Sequence, residues 1–499
     1  MRKAKIFLIN GVILTSTALL LRGIGLIFNI YVANKVGSQT IGIFSLIMSV
    51  YTFAITVATS GISVACTYIV SEEFAKKNYF NGIKAVKTCT LFAVLLGLVS
   101  CFIICLFSPI ITTYWLKGAV SNEPLYVIGI GLPLIAVSSV LGGYFSSVGK
   151  SYKSAISQIL EVSVKVIITI FLLQINISKG IEEICFSLIL ADVIAEFFSF
   201  SLNVIFYIID KRKYCNKRNV PIQMKRKIFK ISFPIAVTSY MKSGLSSLKQ
   251  FLIPLRLEAS GITYSMAVSS YGLINGMVMP VLMFANVFIS SFSSLLIPEF
   301  SRLLAKNYNN RMKTVSDTIF KLTFVFSILV SSIFLFFAND LSLAIYQNLE
   351  VAKWIRILSP LVFFMYVDSI IDGILKGINE QVGVMVCNIL DLIITITLIY
   401  FIVPILGMKG YIITICVSEI FNFIVSTIQL KGRIKFSINI LDYVLKPIIA
   451  SLIAFSGSSI FNFNFFNNTI NIIFKICIFV LIYFLSLFLL GLRKKELHI

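Results

Sequence analysis

One histidine in 499 residues, His498 at the penultimate position, leaves no imidazole for acid–base chemistry in the interior and no histidine for a zinc site. Nine cysteines are present, but no two stand in CxxC spacing. With no histidine beside them they read as small core residues. No nucleophile stands at a useful spacing from a base, so an enzyme is not expected. Charge is scarce: Asp, Glu, Lys and Arg make up 13% of the chain, where a soluble domain carries about 25%. Acid is scarcer still, at 21 Asp and Glu against 43 Lys and Arg. A long polar stretch is also missing. The longest, Asp210–Lys230, is too short for a soluble domain. The net charge of +22 is therefore spread over short loops, which excludes a nucleic-acid partner rather than suggesting one.

Apolar sequence fills the rest. Hydrophobic residues reach 58% and mean hydropathy is +0.96, which predicts an all-α integral membrane protein. Runs of spanning length fall at about fourteen places: near 6–33, 39–70, 83–108, 123–147, 153–175, 182–209, 229–256, 264–297, 314–338, 353–376, 381–403, 408–429, 443–462 and 469–491. The first run follows a basic start, is too long for a signal peptide and lacks a cleavage site, so it is expected to be retained as a helix. With the N-terminus inside, Lys and Arg of alternate loops favour the inner side by roughly four to one. The expected location is the cell membrane, multi-pass, with both termini cytoplasmic. The basic loop is expected to lie on the anionic inner leaflet, with membrane lipids as partners.

The chain also resembles itself at an offset near 229 residues. Gly143 followed by Glu161 aligns with Gly373 followed by Asp391, Ser71-Glu-Glu-Phe aligns with Pro298-Glu-Phe-Ser, and Gly42 aligns with Gly272. The pattern predicts two six-helix lobes in a parallel pseudo-repeat, 1–209 and 229–430. A basic loop at 210–228 joins them, and two further helices and a cytoplasmic tail follow at 431–499.

Candidate site residues are the charges inside apolar runs. Lys242, Lys249 and Arg256 stand seven residues apart, which returns each to nearly the same helix face. A charge at bilayer depth normally faces a partner or a wet cavity. The three form a candidate phosphate cradle, and lysine suits a phosphate that must be released again. Arg256, at the outer end, reads equally as a snorkelling side chain. Arg22 in the first run falls close to the position equivalent to Lys249. It is either a fourth cation of that site or a structural arginine. Glu161 and Lys165 are an i, i+4 pair expected to satisfy each other, or to gate. Asp192 with Glu196, and Asp368 with Asp372, are acidic i, i+4 pairs that can bind Na⁺ or share a proton, or act as counter-ions. Asp391 and Glu419 pose the same question singly.

Two stretches carry a family resemblance. One is Leu21-Arg-Gly-Ile-Gly-Leu-Ile-Phe-Asn-Ile-Tyr-Val-Ala-Asn-Lys-Val-Gly-Ser-Gln-Thr-Ile-Gly; the other is the glycine-to-carboxylate pattern from Gly143 to Glu161. Together with the 6+6+2 plan they make the chain similar to the multidrug/oligosaccharidyl-lipid/polysaccharide (MOP) exporter superfamily. Within it, the chain most resembles the branch of stage V sporulation protein B, near the lipid II flippases. The resemblance implies a central cationic cavity for a lipid-linked pyrophosphate and a groove for the polyprenyl tail beside the last two helices. Arg22 matches the helix 1 arginine of the lipid II flippases. A second family arginine falls at Phe28 here, and the helix 2 arginine has no counterpart in Ser45–Ser60, so the helix 7 lysines stand as substitutes or the substrate differs.

The expectation is a flippase that moves an undecaprenyl-pyrophosphate-linked saccharide, a peptidoglycan precursor such as lipid II, from inner to outer leaflet, in spore cortex formation. No cofactor is expected beyond a coupling ion, Na⁺ or H⁺, or the membrane potential. Cell-wall synthesis proteins are candidate partners. The alternatives are an ion-coupled multidrug exporter of the same fold and a non-transporting wall-synthesis scaffold.

Overall fold

The computed structural model describes residues 2–212, 224–434, 436, 439, 441–460 and 468–491. The middle of the expected basic loop, 213–223, and the polar tail with His498 lie outside the described residues. Within them the chain forms seventeen α-helices and no strand. The helices are α1 (Arg2–Thr59), α2 (Ile62–Ala75), α3 (Tyr79–Ile110), α4 (Glu123–Ser147), α5 (Ser151–Asn176), α6 (Ile181–Lys211), α7 (Met224–Glu258), α8 (Tyr264–Gly272), α9 (Met279–Met283), α10 (Asn286–Ala305), α11 (Asn309–Phe336), α12 (Ala338–Tyr346), α13 (Leu349–Leu358), α14 (Leu361–Gly377), α15 (Gln381–Lys431), α16 (Lys446–Ile460) and α17 (Asn468–Leu489).

The backbone must satisfy its own hydrogen bonds in hydrocarbon, which is why apolar sequence of this kind becomes helix throughout. Helix α1 has 58 residues, about 87 Å at 1.5 Å per residue, against a hydrocarbon core of about 30 Å. It breaks at Gly37, whose φ of 79° and ψ of 171° leave the helical region. Helix α15 breaks likewise at Gly407, with φ 57° and ψ −132°. Among the described residues eleven helices qualify as membrane spans by length and apolarity, or twelve if α13 and α14, bent at 54°, count as one. The expected fourteen is not established by that measure. It counts the 60-residue stretch from Ser16 and the 51-residue α15 once each, and it passes over α7, whose serines and cations lower its apolarity. The run expected at 264–297 is not one helix: a π-helical turn at Leu273–Val278 and a break before Asn286 divide it.

Contacts divide the chain into one unit of Met1–Leu255 with Thr263–Gly272, and a second of Arg256–Ile262 with Leu273–Ile499. By contact, then, α8 and all of α7 up to Leu255 count with the first unit.

In the first unit α3 shows how packing is achieved. It buries Ala85, Cys89, Ala93 and Gly97, one per turn, and exposes Leu91, Leu95, Leu98, Phe102 and Leu106. Small residues face protein and large apolar ones face outward, the pattern of a membrane helix, where lipid solvates leucine as well as a core does. A Cβ on Gly97 would stand 2.7 Å from Pro133 Cα, so α3 and α4 approach closely there. Helix α8 packs on α1 through another such contact. A Cβ on Gly272 would lie 2.0 Å from the Ser38 carbonyl oxygen and 2.6 Å from Gly42 N. The second unit packs α16 and α17 on α11, where Phe336 stacks on Phe455 at 4.3 Å and the Tyr483 hydroxyl donates to the Val325 carbonyl at 2.8 Å.

The two units repeat one another in detail. Ser63 donates to the Ser139 carbonyl at 3.0 Å in the first, and Ser293 to the Ser369 carbonyl at 2.7 Å in the second, both residues shifted by 230 positions. Left-handed backbone recurs at the same shift: Lys77 and Asn307, Lys117 and Gln347, Gly149 and Asn379.

Replacing Gly272 by valine is expected to lower the melting temperature of the purified protein, because backbone atoms on both sides of the new Cβ cannot give way; overpacking of this kind costs about 1–3 kcal/mol or more. Gly23, with nothing within 4 Å of its Cβ position, should accept alanine without loss in the same melting experiment.

Candidate functional site

Helix α7 is built with two faces. Tyr240, Ser243, Gly244 and Ser247 recur at helical spacing and pack against the second half of α1. The Tyr240 hydroxyl donates to the Val57 carbonyl at 3.1 Å and Ser247 to the Ser49 carbonyl at 2.9 Å. Thr56 donates to the Ser243 hydroxyl at 3.1 Å. Lys242 and Lys249 stand well over 100° around the helix from this seam. Lys242 is exposed and Lys249 half-buried, and among the described residues neither ammonium has a hydrogen-bonding or acidic partner. Arg22 is exposed on α1 in the same unit. Arg256 behaves differently. It counts with the second unit, where its guanidinium lies 3.6 Å from the centre of the Tyr400 ring, a stacked cation–π contact.

Between α1, α3 and α7 the first unit also encloses an apolar cavity of about 400 Å³, lined by Phe53, Ile104, Phe107, Trp115 and Phe251 among others. Two of its wall residues, Trp115 and Phe251, pack with ring centroids 4.5 Å apart.

The carboxylates gather in two clusters, one in each unit. In the first, Glu161 of α5 and Asp192 and Glu196 of α6 lie within electrostatic reach of one another and of Tyr51. The expected pairing of Lys165 with Glu161 is not what forms. Lys165 instead makes its ion pair with Asp192 across the α5–α6 contact, and its ammonium stands 5.7 Å from the Phe28 ring. Asp192 lies across the α5–α6 contact with its side chain about 10% exposed, so an ion pair there offsets a desolvation cost. Asp192 Oδ2 is left buried with no hydrogen-bond partner among the described residues.

In the second unit Asp368 lies within electrostatic reach of Asp372, Lys376 and Asp391. Asp372 is held by Lys376 on the next turn of α14 at 3.0 Å. Asp391, buried on α15, accepts from Ser418 at 2.6 Å and Thr395 at 3.4 Å, so its needs are met locally. Asp368 Oδ1 is buried without a partner among the described residues. Glu419 is half-buried further along α15. The groups that sequence reasoning missed are Tyr51 at the first cluster and Phe28 beneath Lys165. An aromatic residue inside an apolar run carries no signal of its neighbours.

Lys165→Met is expected to destabilise the protein by about 3–5 kcal/mol, since it strands a buried carboxylate. Adding Asp192→Asn should restore most of the lost melting temperature, and the double-mutant cycle measures the coupling.

Comparison with known proteins places these features. The family described as Polysaccharide biosynthesis protein matches residues 7–304, and the one described as MatE matches residues 259–401. Stage V sporulation protein B of Bacillus subtilis (strain 168) is 21% identical over 98% of this chain and 96% of its own length. Lipid II flippase MurJ of the same organism is 22% identical over 86% of this chain and 83% of its own. Among solved structures, lipid II flippase MurJ in an inward closed conformation superposes with a TM-score of 0.68 at 16% identity, over 95% of this chain and 98% of that one. An inward-facing multidrug resistance MATE family transporter of the MOP superfamily gives 0.61 at 14% identity, over 85% and 98%.

Proposed function

The chain belongs to the polysaccharide biosynthesis protein family, as a multi-pass membrane exporter of the MOP superfamily, and from that premise we propose that its cargo is a lipid-linked saccharide. The cargo is an undecaprenyl-pyrophosphate-linked peptidoglycan precursor such as lipid II. It is carried from the inner to the outer leaflet by alternating access, in the service of the spore cortex. The six-helix lobes 1–209 and 229–430 are its moving parts, a division supported by the turns that recur 230 positions apart.

The observation that carries the reading is the pair of α7 lysines, neither of which has a hydrogen-bonding or acidic partner among the described residues. An ammonium without a counter-charge at bilayer depth is costly, and a transported anion removes that cost each time it binds. A pyrophosphate has the converse problem, since it cannot enter hydrocarbon without cations. Lysine supplies point charges that bind phosphate and let it go. Arg22 supplies a further cation in the same unit. The apolar cavity beside α7 supports a cargo with a lipid portion. Arg256, stacked on Tyr400, is better suited to anchoring α7 than to holding cargo. In this reading Glu161, Lys165, Asp192, Glu196, Asp368, Asp372, Asp391 and Glu419 gate the path or couple it to Na⁺, H⁺ or the membrane potential.

The test compares wild type with Lys242→Ala/Lys249→Ala for binding of lipid-linked pyrophosphate saccharides and for their translocation in vesicles. Binding weakened about tenfold or more, with translocation lost, is the expected result. Full translocation by the double variant would remove the cradle from the reading.

A second reading draws on the partnerless carboxylate oxygens of Asp192 and Asp368. A buried carboxylate with a free lone pair suits a cation, so the same fold would export small cationic compounds against Na⁺ or H⁺. Asp368→Asn should then abolish drug resistance in cells while leaving precursor binding unchanged; the lipid cargo predicts intact precursor binding and no resistance phenotype to lose.

A further inference from the structure

A pocket at the start of α11 belongs neither to the α7 cations nor to the two acidic clusters. Helix α11 contributes Lys313, Asp317, Thr318 and Lys321, which recur turn by turn on one face, and the π-helical turn at Leu441–Leu445 before α16 brings Asp442 and Tyr443 opposite them. The cavity has a volume of about 470 Å³. Every wall residue comes from the second unit.

Its depth follows from the helix that builds it. From Asn309 to Thr318 α11 is mostly polar, and from Ile319 onward it is apolar, with Leu322 exposed and Ile319, Phe320 and Phe324 buried. A membrane helix changes character in this way where it passes from the headgroup layer into the acyl layer. The pocket therefore sits at headgroup level, and Lys321 reaches into it from the first apolar turn, with only 7% of its surface exposed.

Its charge balance narrows the ligand. Asp442 is already occupied: Lys446 lies 2.5 Å from one carboxylate oxygen, and Asn439 donates to the other at 2.7 Å. On α11, Lys313 and Lys321 flank Asp317 one turn to either side, so this face carries one net positive charge. Around it stand hydroxyls on Thr314, Thr318 and Tyr443 and an amide on Asn310, groups that both donate and accept. A phosphate monoester or a pyrophosphate would bring two or more negative charges against one net cation and Asp317. A choline headgroup would bring a further cation against a face that is already net positive, and no hydroxyl for the polar groups of the wall. A monoanionic phosphodiester bearing hydroxyls meets both conditions.

We propose that this pocket binds a glycerophosphoryl headgroup of the phosphatidylglycerol type, with the lysines on the phosphodiester and Asp317 and the amides on the glycerol hydroxyls. Because the walls come from α11 and from the turn before α16, the bound headgroup ties those elements together and stabilises the second unit. The chemistry is shared by the lipid and by its soluble headgroup, glycerophosphoglycerol.

The experiment uses the full-length protein, delipidated in detergent, with native mass spectrometry and thermal unfolding as readouts. Phosphatidylglycerol, phosphatidylcholine and glycerophosphoglycerol are the probes. Lys313→Gln/Asn439→Ala removes two exposed wall groups, with the melting temperature of the lipid-free variant as the check on its fold, and Lys84→Gln removes an exposed lysine of the first unit as a control. Wild type and Lys84→Gln should retain one phosphatidylglycerol about fivefold more tightly than the double variant and melt at a higher temperature with it, while phosphatidylcholine does neither. A matching rise in melting temperature with glycerophosphoglycerol alone would assign the site to a soluble carrier; no rise would assign it to the lipid. Equal retention by the double variant and wild type, or equal retention of phosphatidylcholine, would overturn the proposal.

Discussion

An ionised side chain without a counter-charge is costly in hydrocarbon, and the placement of charge in this protein follows from that cost. Lys165 goes to Asp192, Lys150 and Lys153 both go to Asp210, Lys376 goes to Asp372, and Lys446 goes to Asp442. Each pairing gives a charge in or at the edge of the helical layer its counter-ion. Against that background Lys242 and Lys249 stand out: the seam of hydroxyl and small residues on α7 holds the helix to α1 by the other face, and among the described residues neither ammonium has an acidic partner. The helix is anchored by one face so that the other can carry charge.

Fold class and family were legible in the sequence, because hydropathy, loop charge and a family pattern report on the whole chain at once. The finer layer was not. Lys165 has an acid one turn away in sequence, yet it takes Asp192 on α6, a choice made by how α5 and α6 pack. Arg256 keeps its seven-residue phase with Lys249 but ends on Tyr400, far along the chain. The break inside the run expected at 264–297 was foreshadowed only by Pro280, since a π-helical turn leaves no mark on hydropathy. Sequence phase placed residues on faces; it could not say what each face would meet.

The acids and the cations divide the labour differently. The lysines of α7 occur once, with no counterpart of the pair in the repeat, whereas each unit has a carboxylate cluster; of these acids only Glu161 and Asp391 stand at equivalent positions, since Asp192 and Glu196 answer to Asn422 and Ser426, and Asp368 and Asp372 to Ser138 and Gly142. Yet the two positions have diverged in use. Asp391 is satisfied by Ser418 and Thr395, while Glu161 stands among acids and beside Tyr51. The repeated scaffold thus keeps its acids and its α7 lysines on separate helices.

The left-handed residues carry a further implication. Lys77, Lys117 and Gly149 are spaced 40 and 32 positions apart, and Asn307, Gln347 and Asn379 are spaced identically. Only the conformation is shared, since no residue type is retained at any of the three pairs. Side chains drifted after duplication, but no net insertion or deletion accumulated between these turns. The bilayer acts as a ruler here: a helix that gains or loses a residue shifts its end relative to the water boundary and turns every later side chain by about 100°. Between these turns length is kept where residue type is not, while the serine pairs Ser63 and Ser293, and Ser139 and Ser369, keep both.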